Sequence, residues 1–244
     1  MIKVQALSKA FNHRQVVANL SFEAPNGAIT GLLGANGAGK STTLRMICGA
    51  LQPESGSVAI DDLPESAPVL DRCRHIGALL DHMGLYSRLT VRENLVYFGR
   101  LQGVPCALLA DRVDSVISLL RLDSIADRRI AGFSQGERMK TALARALLHN
   151  PRNLLLDEPT NGLDIPTVRA VRELLRHLRD SGVCIVYSSH VLDEVRALCD
   201  RVVIIAGGQR IAHGSPGEIC AQAQTESLED AFVELTSREA AHAN

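Results

Sequence analysis

LLGANGAGKSTTL, Leu32–Leu44, places three glycines within six residues, directly after two leucines and before a lysine and a run of hydroxyls. Glycine loses more conformational freedom on ordering than any other residue, so the run implies that the backbone itself has work to do. The flanks identify that work. Ala28–Leu33 reads as an apolar strand, and a helix is predicted from about Gly39. GANGAGKS, Gly34–Ser41, fits G-x-x-x-x-G-K-[ST] in the strand–loop–helix context the pattern requires. Glycines let the loop curl so that successive N–H groups face phosphate oxygens, with a helix N-terminus behind them. On this reading Gly34, Asn36, Gly37, Ala38, Gly39, Lys40, Ser41 and Thr42 form a nucleotide site. Lys40 reaches the β- and γ-phosphates, and the Ser41 hydroxyl ligates Mg²⁺. The loop alone leaves kinases, GTPases, helicases and transport motors open, although the Asn-Lys-x-Asp segment of GTPase base readout is absent.

A second stretch narrows the choice. NLLLDEPT, Asn153–Thr160, begins with three leucines, the mark of a strand buried on both faces. Such a strand delivers Asp157 and Glu158 to the carboxyl edge of a sheet, where ligands bind in open α/β folds. Asp157 is placed to hold Mg²⁺ as a Walker B carboxylate does, and Glu158 to orient and deprotonate an attacking water.

Working outward, short apolar runs alternate with amphipathic stretches. Strands are predicted at Ile2–Leu7, Val17–Glu23, Ala28–Leu33, Ser57–Ile60, His75–Leu79, Asn153–Leu156, Val183–Ser188, Arg201–Ile205 and Gln209–His213. Helices are predicted to begin near Gly39, Val91, Leu108, Ser134, Pro166, Val191, Pro216 and Leu228. Residues 81–150 read as nearly all helix between strand-rich segments, so the pattern is an α/β core with a helical insertion. The expected division is a core with a β subdomain over 1–80 and 151–215, a helical part over 81–150, and a helical tail over 216–244 that frays at its small, polar end.

The whole chain has 244 residues, 46% of them hydrophobic and 22% charged, with a formal net charge of −1, which is ordinary globular composition. Without a basic excess, nucleic acid is not an expected partner. Its six cysteines, Cys48, Cys73, Cys106, Cys184, Cys199 and Cys220, include no C-x-x-C pair, so they are expected as small core residues in a reducing compartment and not as zinc ligands. The opening MIKVQALSKAF alternates like a strand and lacks the apolar centre of a signal peptide. No segment approaches a membrane span, so a cytosolic protein is expected, with any membrane role supplied by a partner.

Phe133–Glu137, FSQGE, opens a helix with Ser134 and Glu137 spaced as a capping box. Here the sequence resembles the ATP-binding subunits of ABC transporters, essentially over its whole length. FSQGERMKTALARALLHNP is similar to that family's signature motif and its helix, EPTNGLD (Glu158–Asp164) to its D-loop, and His190 in VYSSHVLDEV to its switch histidine. Phe11 in LSKAF corresponds to the aromatic residue that stacks on adenine. The resemblance implies an ABC ATPase fold, a P-loop NTPase core with an antiparallel β subdomain and an inserted helical subdomain. It also implies ATP and Mg²⁺ as ligands and a head-to-tail homodimer, with each ATP held between one subunit's phosphate loop and the other's signature helix. Ser134, Gly136 and Asp164 would then serve the opposite subunit, while Glu158 and His190 act on the γ-phosphate.

Two positions depart from the family pattern. The usual Leu-Ser-Gly-Gly-Gln is Phe-Ser-Gln-Gly-Glu, so Gln135 replaces a glycine and Glu137 a glutamine. The loop glutamine that senses Mg²⁺ corresponds to Asp81. GLYSRLTVRENL (Gly84–Leu95) and SLEDAFVELT (Ser227–Thr236) resemble the exporter branch with ABC-2-type permeases, in which Leu85, Tyr86 and Leu89 would form an apolar patch for the membrane partner or else pack internally. The implied function is the ATP-hydrolysing motor of an exporter, peripheral on the inner face of the cell membrane. A soluble ABC ATPase acting on ribosomes or DNA is the alternative, weakened by a single motif set and no sustained heptads. A subunit that binds ATP without turnover is disfavoured by the presence of both Glu158 and His190.

Overall fold

A computed structural model describes residues 1–64, 67–80 and 84–242. Chain order runs β1 (Ile2–Phe11), β2 (Arg14–Ala24), β3 (Ile29–Leu33), α1 (Lys40–Ile47), β4 (Ser55–Ile60), α2 (Val69–His75), β5 (Ile76–Leu79), α3 (Val91–Leu101), α4 (Cys106–Leu119), α5 (Gln135–Leu147), β6 (Asn153–Asp157), α6 (Ile165–Asp180), β7 (Cys184–Ser189), α7 (Leu192–Leu198), β8 (Arg201–Ala206), β9 (Gln209–Gly214), α8 (Pro216–Ala223) and α9 (Leu228–His242). All nine predicted strands form. The helix that the sequence did not announce is α2, and the reason is physical: none of its residues is buried, so no apolar periodicity marks it.

Strands β5–β6–β7–β3–β8–β9 make one sheet in that order, parallel from β5 to β8 with β9 antiparallel at the edge. Every residue of β3, β6 and β7 is buried, as expected of parallel strands covered on both faces. Their alternation feeds two separate cores. Leu154, Leu156, Ile185, Tyr187, Val202 and Ile204 point into a core shared with α3–α9. Leu155, Val186, Val203 and Ile205 point the other way, against Leu44, Met46 and Ile47 of α1 and the apolar face of a second sheet. That second sheet is antiparallel, ordered β2–β1–β4, and contributes Ile2, Val4, Leu20, Phe22 and Val58. Helix α1 is therefore clamped between two sheets, which fixes the glycine loop at its N-terminus.

Between β5 and β6 the chain is helical, with α3, α4, α5 and two short 3₁₀ turns. Thr90 and Ser134 each close a full capping box, on Glu93 and Glu137 respectively. The predicted tail helix forms as α9, anchored by Leu228, Ala231 and Leu235. Cysteine placement also needs correction. Cys184 and Cys199 are buried, but Cys48 and Cys220 are only partly so and Cys73 and Cys106 are exposed. Cys106 lies on the outer face of α4, which reaches the core through Leu109, Val113 and Val116, and Cys73 lies in α2, none of whose residues is buried. Among the described residues no helix is long and apolar enough to cross a membrane.

Candidate active site

Register places the site. Asp157 pairs with Ser188, and Leu33 with Ser189, so the carboxyl ends of β6, β7 and β3 finish at one level. The loop after β3, Glu158 after β6 and His190 after β7 consequently emerge together at one sheet edge. This is where open α/β sheets bind ligands.

The loop wraps its own lysine. Lys40 is almost fully buried, and its Nζ donates to the carbonyls of Gly34 at 2.7 Å and Ala35 at 3.1 Å. Gly39 has φ +103°, and a Cβ there would lie 2.6 Å from the Val16 carbonyl, so only glycine lets β2 press against the loop. At Gly37, with φ +82°, the place of a Cβ faces open space, and Asn36 and Gly37 are exposed. Helix α1 has neither a side-chain cap nor an acidic residue in its first turn, which leaves the positive end of its dipole for an anion. Ser41 and Thr42 are half-buried at this end, whereas Thr43 turns inward to donate to Gly39 O. A phosphate group fits this arrangement in charge and in space.

The carboxylate pair divides as its sequence position suggests. Asp157 is buried, and its Oδ1 accepts a hydrogen bond from the Ser188 hydroxyl. Glu158 takes φ +46°, unusual for a residue with a side chain. Its amide donates to the Ser188 carbonyl at 3.2 Å and hydroxyl at 3.1 Å, which holds that conformation. Glu158 Oε1 lies 3.0 Å from His190 Nδ1 and 3.6 Å from Lys40 Nζ. A half-buried carboxylate, a cation and an imidazole thus meet at the mouth of the loop. A cavity of about 360 Å³ opens beside them, lined by Ser41, Asp157, Glu158, Asn161, Gln135 and Met139.

Other expected site residues stand apart from this cluster. None of Phe11, Ser134, Gly136 or Asp164 shares a hydrogen bond or ion pair with Lys40, Glu158 or His190. Phe11 is exposed at the β1–β2 turn, with Lys9 Nζ 5.7 Å from its ring centroid; the contact of β2 with Gly39 brings this hairpin alongside the loop. Ser134 is exposed, its hydroxyl accepting from Glu137 N at 3.2 Å, and Glu137 Oε2 accepts from Ser134 N at 2.8 Å. That amide holds the Glu137 carboxyl below its ordinary pKa. Asp164 is exposed at the start of α6 and makes no side-chain cap. Asp81 lies outside the described residues. Of the proposed apolar patch, Tyr86 is exposed, while Leu85 and Leu89 are half-buried and Leu85 packs against the larger core. Tyr86 joins an aromatic cluster, edge-on to Tyr97 at 5.1 Å and stacked on Phe98 at 5.8 Å. Arg145 covers Phe98 at 4.8 Å.

Sequence reasoning missed a buried hub behind the site. Glu194 Oε2 accepts from Thr160 at 2.8 Å, Tyr187 at 2.9 Å and Ser189 at 3.1 Å, so one carboxylate joins the segment after Glu158 to the residue before His190. Burial pushes the Tyr187 phenol well above its ordinary pKa. A tyrosine inside an apolar strand is the signal that pointed here, since its hydroxyl needs a partner.

A family model described as "ABC transporter" matches residues 17–161. The chain is 37% identical over 238 residues to the ABC transporter ATP-binding protein NatA of Bacillus subtilis (strain 168), covering 96% of this chain and 97% of that protein. It is 37% identical over 215 residues to the Nod factor export ATP-binding protein I of Rhizobium sp. (strain N33), covering 88% and 71%. With the linearmycin resistance ATP-binding protein LnrL of Bacillus subtilis it shares 32% over 252 residues, covering 100% and 81%. Among solved structures, an ATP-binding subunit of an ABC transporter superposes with TM-score 0.88 at 29% identity, over 97% of this chain and 99% of that one. A dimeric ATP-binding cassette in a post-hydrolysis state bound to ADP and Pi shares the fold, with TM-score 0.80 at 24% identity over 88% and 98%.

Proposed function

The chain belongs to the ABC transporter family as a subunit that binds and hydrolyses ATP to power transport, and from that premise we propose that it drives an exporter through a separately encoded ABC-2-type permease. A relative named for Nod factor export supports the direction of transport. The observation that carries the catalytic reading is the meeting of Lys40, Glu158 and His190 at the mouth of the glycine loop.

In this proposal the amides of Gly34–Thr42 and the Lys40 ammonium grip the β- and γ-phosphates, and Phe11 stacks on the adenine. Ser41, Asp157 and Asp81 are the candidate Mg²⁺ ligands. The buried Asp157, oriented by Ser188, suits that role by its chemistry. Mg²⁺ when bound there would neutralise charge on the phosphate oxygens. Glu158 orients the attacking water and accepts its proton at Oε1 or Oε2, with Lys40 and His190 fixing the carboxylate in place. His190 then contacts the γ-phosphate. Ser134, Gly136 and Asp164, all outside this cluster, act in trans: a second copy presents its capped helix N-terminus to the γ-phosphate. Each subunit therefore completes the other's site in a homodimer. The assembly lies on the cytoplasmic face of the membrane, attached through the permease.

Co-expression with the membrane protein encoded beside this chain, followed by detergent extraction and affinity purification, tests the proposal. A stoichiometric complex whose ATPase rate responds to the permease is expected. Recovery of the chain on ribosomes or DNA instead, with no membrane partner, would overturn it.

A further inference from the structure

We propose that the Gln135 side chain is a latch that ties each subunit's signature helix to that subunit's own catalytic carboxylate, so that gripping the partner's nucleotide and hydrolysing its own are coupled. The inference rests on the two-subunit site proposed above.

Gln135 is the first residue of α5, and its Nε2 donates to the Asn161 carbonyl at 2.8 Å. Its amide lies over Gly162, where φ is +71° and a Cβ would stand 2.7 Å from Nε2 and 3.0 Å from Oε1. The positive φ favours glycine at this position. From Asn161 the path is short, because its Nδ2 lies 3.5 Å from Glu158 Oε2, whose other oxygen meets His190. The turn itself is closed locally by Asn161 N to Glu158 O at 3.1 Å and Leu163 N to Thr160 O at 3.2 Å.

Its near end is rigid. The Thr160 hydroxyl is held by Tyr187 and Glu194 at 2.8 Å each, deep against the sheet. Residues 161–162 are thus linked to the fixed base of the turn on one side and to Gln135 of the signature helix on the other. Ser134, the neighbour of Gln135, is exposed and free to face another subunit. Any tilt of the first turn of α5 on engaging a nucleotide in trans is passed through Gln135 to the backbone that carries Glu158. A glycine at this position, as in the family's usual signature, has no side chain with which to make the link.

Gln135→Met keeps the length of the side chain but removes the donor. With Glu158 intact, Gln135→Met should hydrolyse saturating ATP about ten-fold more slowly. In the Glu158→Gln background, where turnover is blocked, the same substitution should leave the ATP concentration for dimerisation within about two-fold. A merely structural or direct trans-contact role would move both readouts. An unchanged rate, or a parallel loss of dimerisation, would overturn the latch. Failure of Glu158→Gln alone to dimerise would instead remove the two-subunit reading on which it rests.

Discussion

His190 Nδ1 stands 3.0 Å from Glu158 Oε1, and the same oxygen lies 3.6 Å from Lys40 Nζ. These residues follow three different strands, and the shared register of β3, β6 and β7 is what makes them neighbours. A carboxylate held between a cation and an imidazole is fixed in orientation without being removed from solvent. That is the requirement for a base that must meet a water.

Lys40→Ala removes the donor that ties the loop to the Gly34 and Ala35 carbonyls and the positive charge facing the phosphates. Charge-assisted hydrogen bonds are worth about 1.5–3 kcal/mol each, so ATP affinity measured by calorimetry should fall by at least about 100-fold. Wild-type affinity in this variant would remove the phosphate-loop assignment.

Glu137→Gln should tighten ATP-dependent dimerisation. The Ser134 amide keeps the Glu137 carboxyl ionised in the fold. The stabilisation this gives α5 is therefore complete above the ordinary Glu value of about 4.3 and is lost as pH falls through the depressed one. At neutral pH the charge persists beside Ser134, where the partner's γ-phosphate is proposed to dock. Two like charges a few ångströms apart in water repel by about 1 kcal/mol, which corresponds to about five-fold in affinity, and more at low salt. Equal or weaker dimerisation at low ionic strength would count against docking at this helix end.

Tyr187→Phe deletes one of the three hydroxyls on Glu194 and the partner of Thr160. Leaving buried polar groups a bond short destabilises by about 1–3 kcal/mol, visible as a lower denaturant midpoint with an unchanged slope. Hydrolysis should slow while nucleotide affinity holds. An unchanged midpoint would show that the hub is not under load.

Tyr86→Asp replaces an exposed ring that stacks on Phe98 and abuts Tyr97. Soluble ATP affinity should match wild type, since the cluster lies on the helical part and away from the loop, while export by cells carrying the permease should be lost. Full retention of export would reject this patch as the membrane contact.

What the sequence made legible was the part encoded by local rules. Continuous apolar runs such as Leu154–Leu156 announced doubly covered strands, and Gly34–Ser41 announced its loop because every glycine there serves the backbone. Ser134 and Glu137 announced a helix start, and both halves of the capping box are present. What stayed hidden depended on partners far apart in sequence. Glu194 looks like an ordinary helix residue until Thr160, 34 positions earlier, is folded onto it. Gln135 looked only like a departure from a motif, and its bond to Asn161 spans 26 residues. Helix α2 was invisible because it buries nothing.

In the proposed dimer a triphosphate is shared between the glycine loop of one copy and the capped helix of another. Glu158→Gln tests it most directly, because loss of the base should slow turnover by about 10²–10⁴-fold, or about 3–5 kcal/mol of barrier, while leaving the grip on ATP intact. Light scattering of this variant with ATP and Mg²⁺ should give twice the 26.3 kDa chain mass, reverting to the monomer when Lys40→Ala is added. A 26.3 kDa species at saturating ATP, with nucleotide bound, would rule out the shared site.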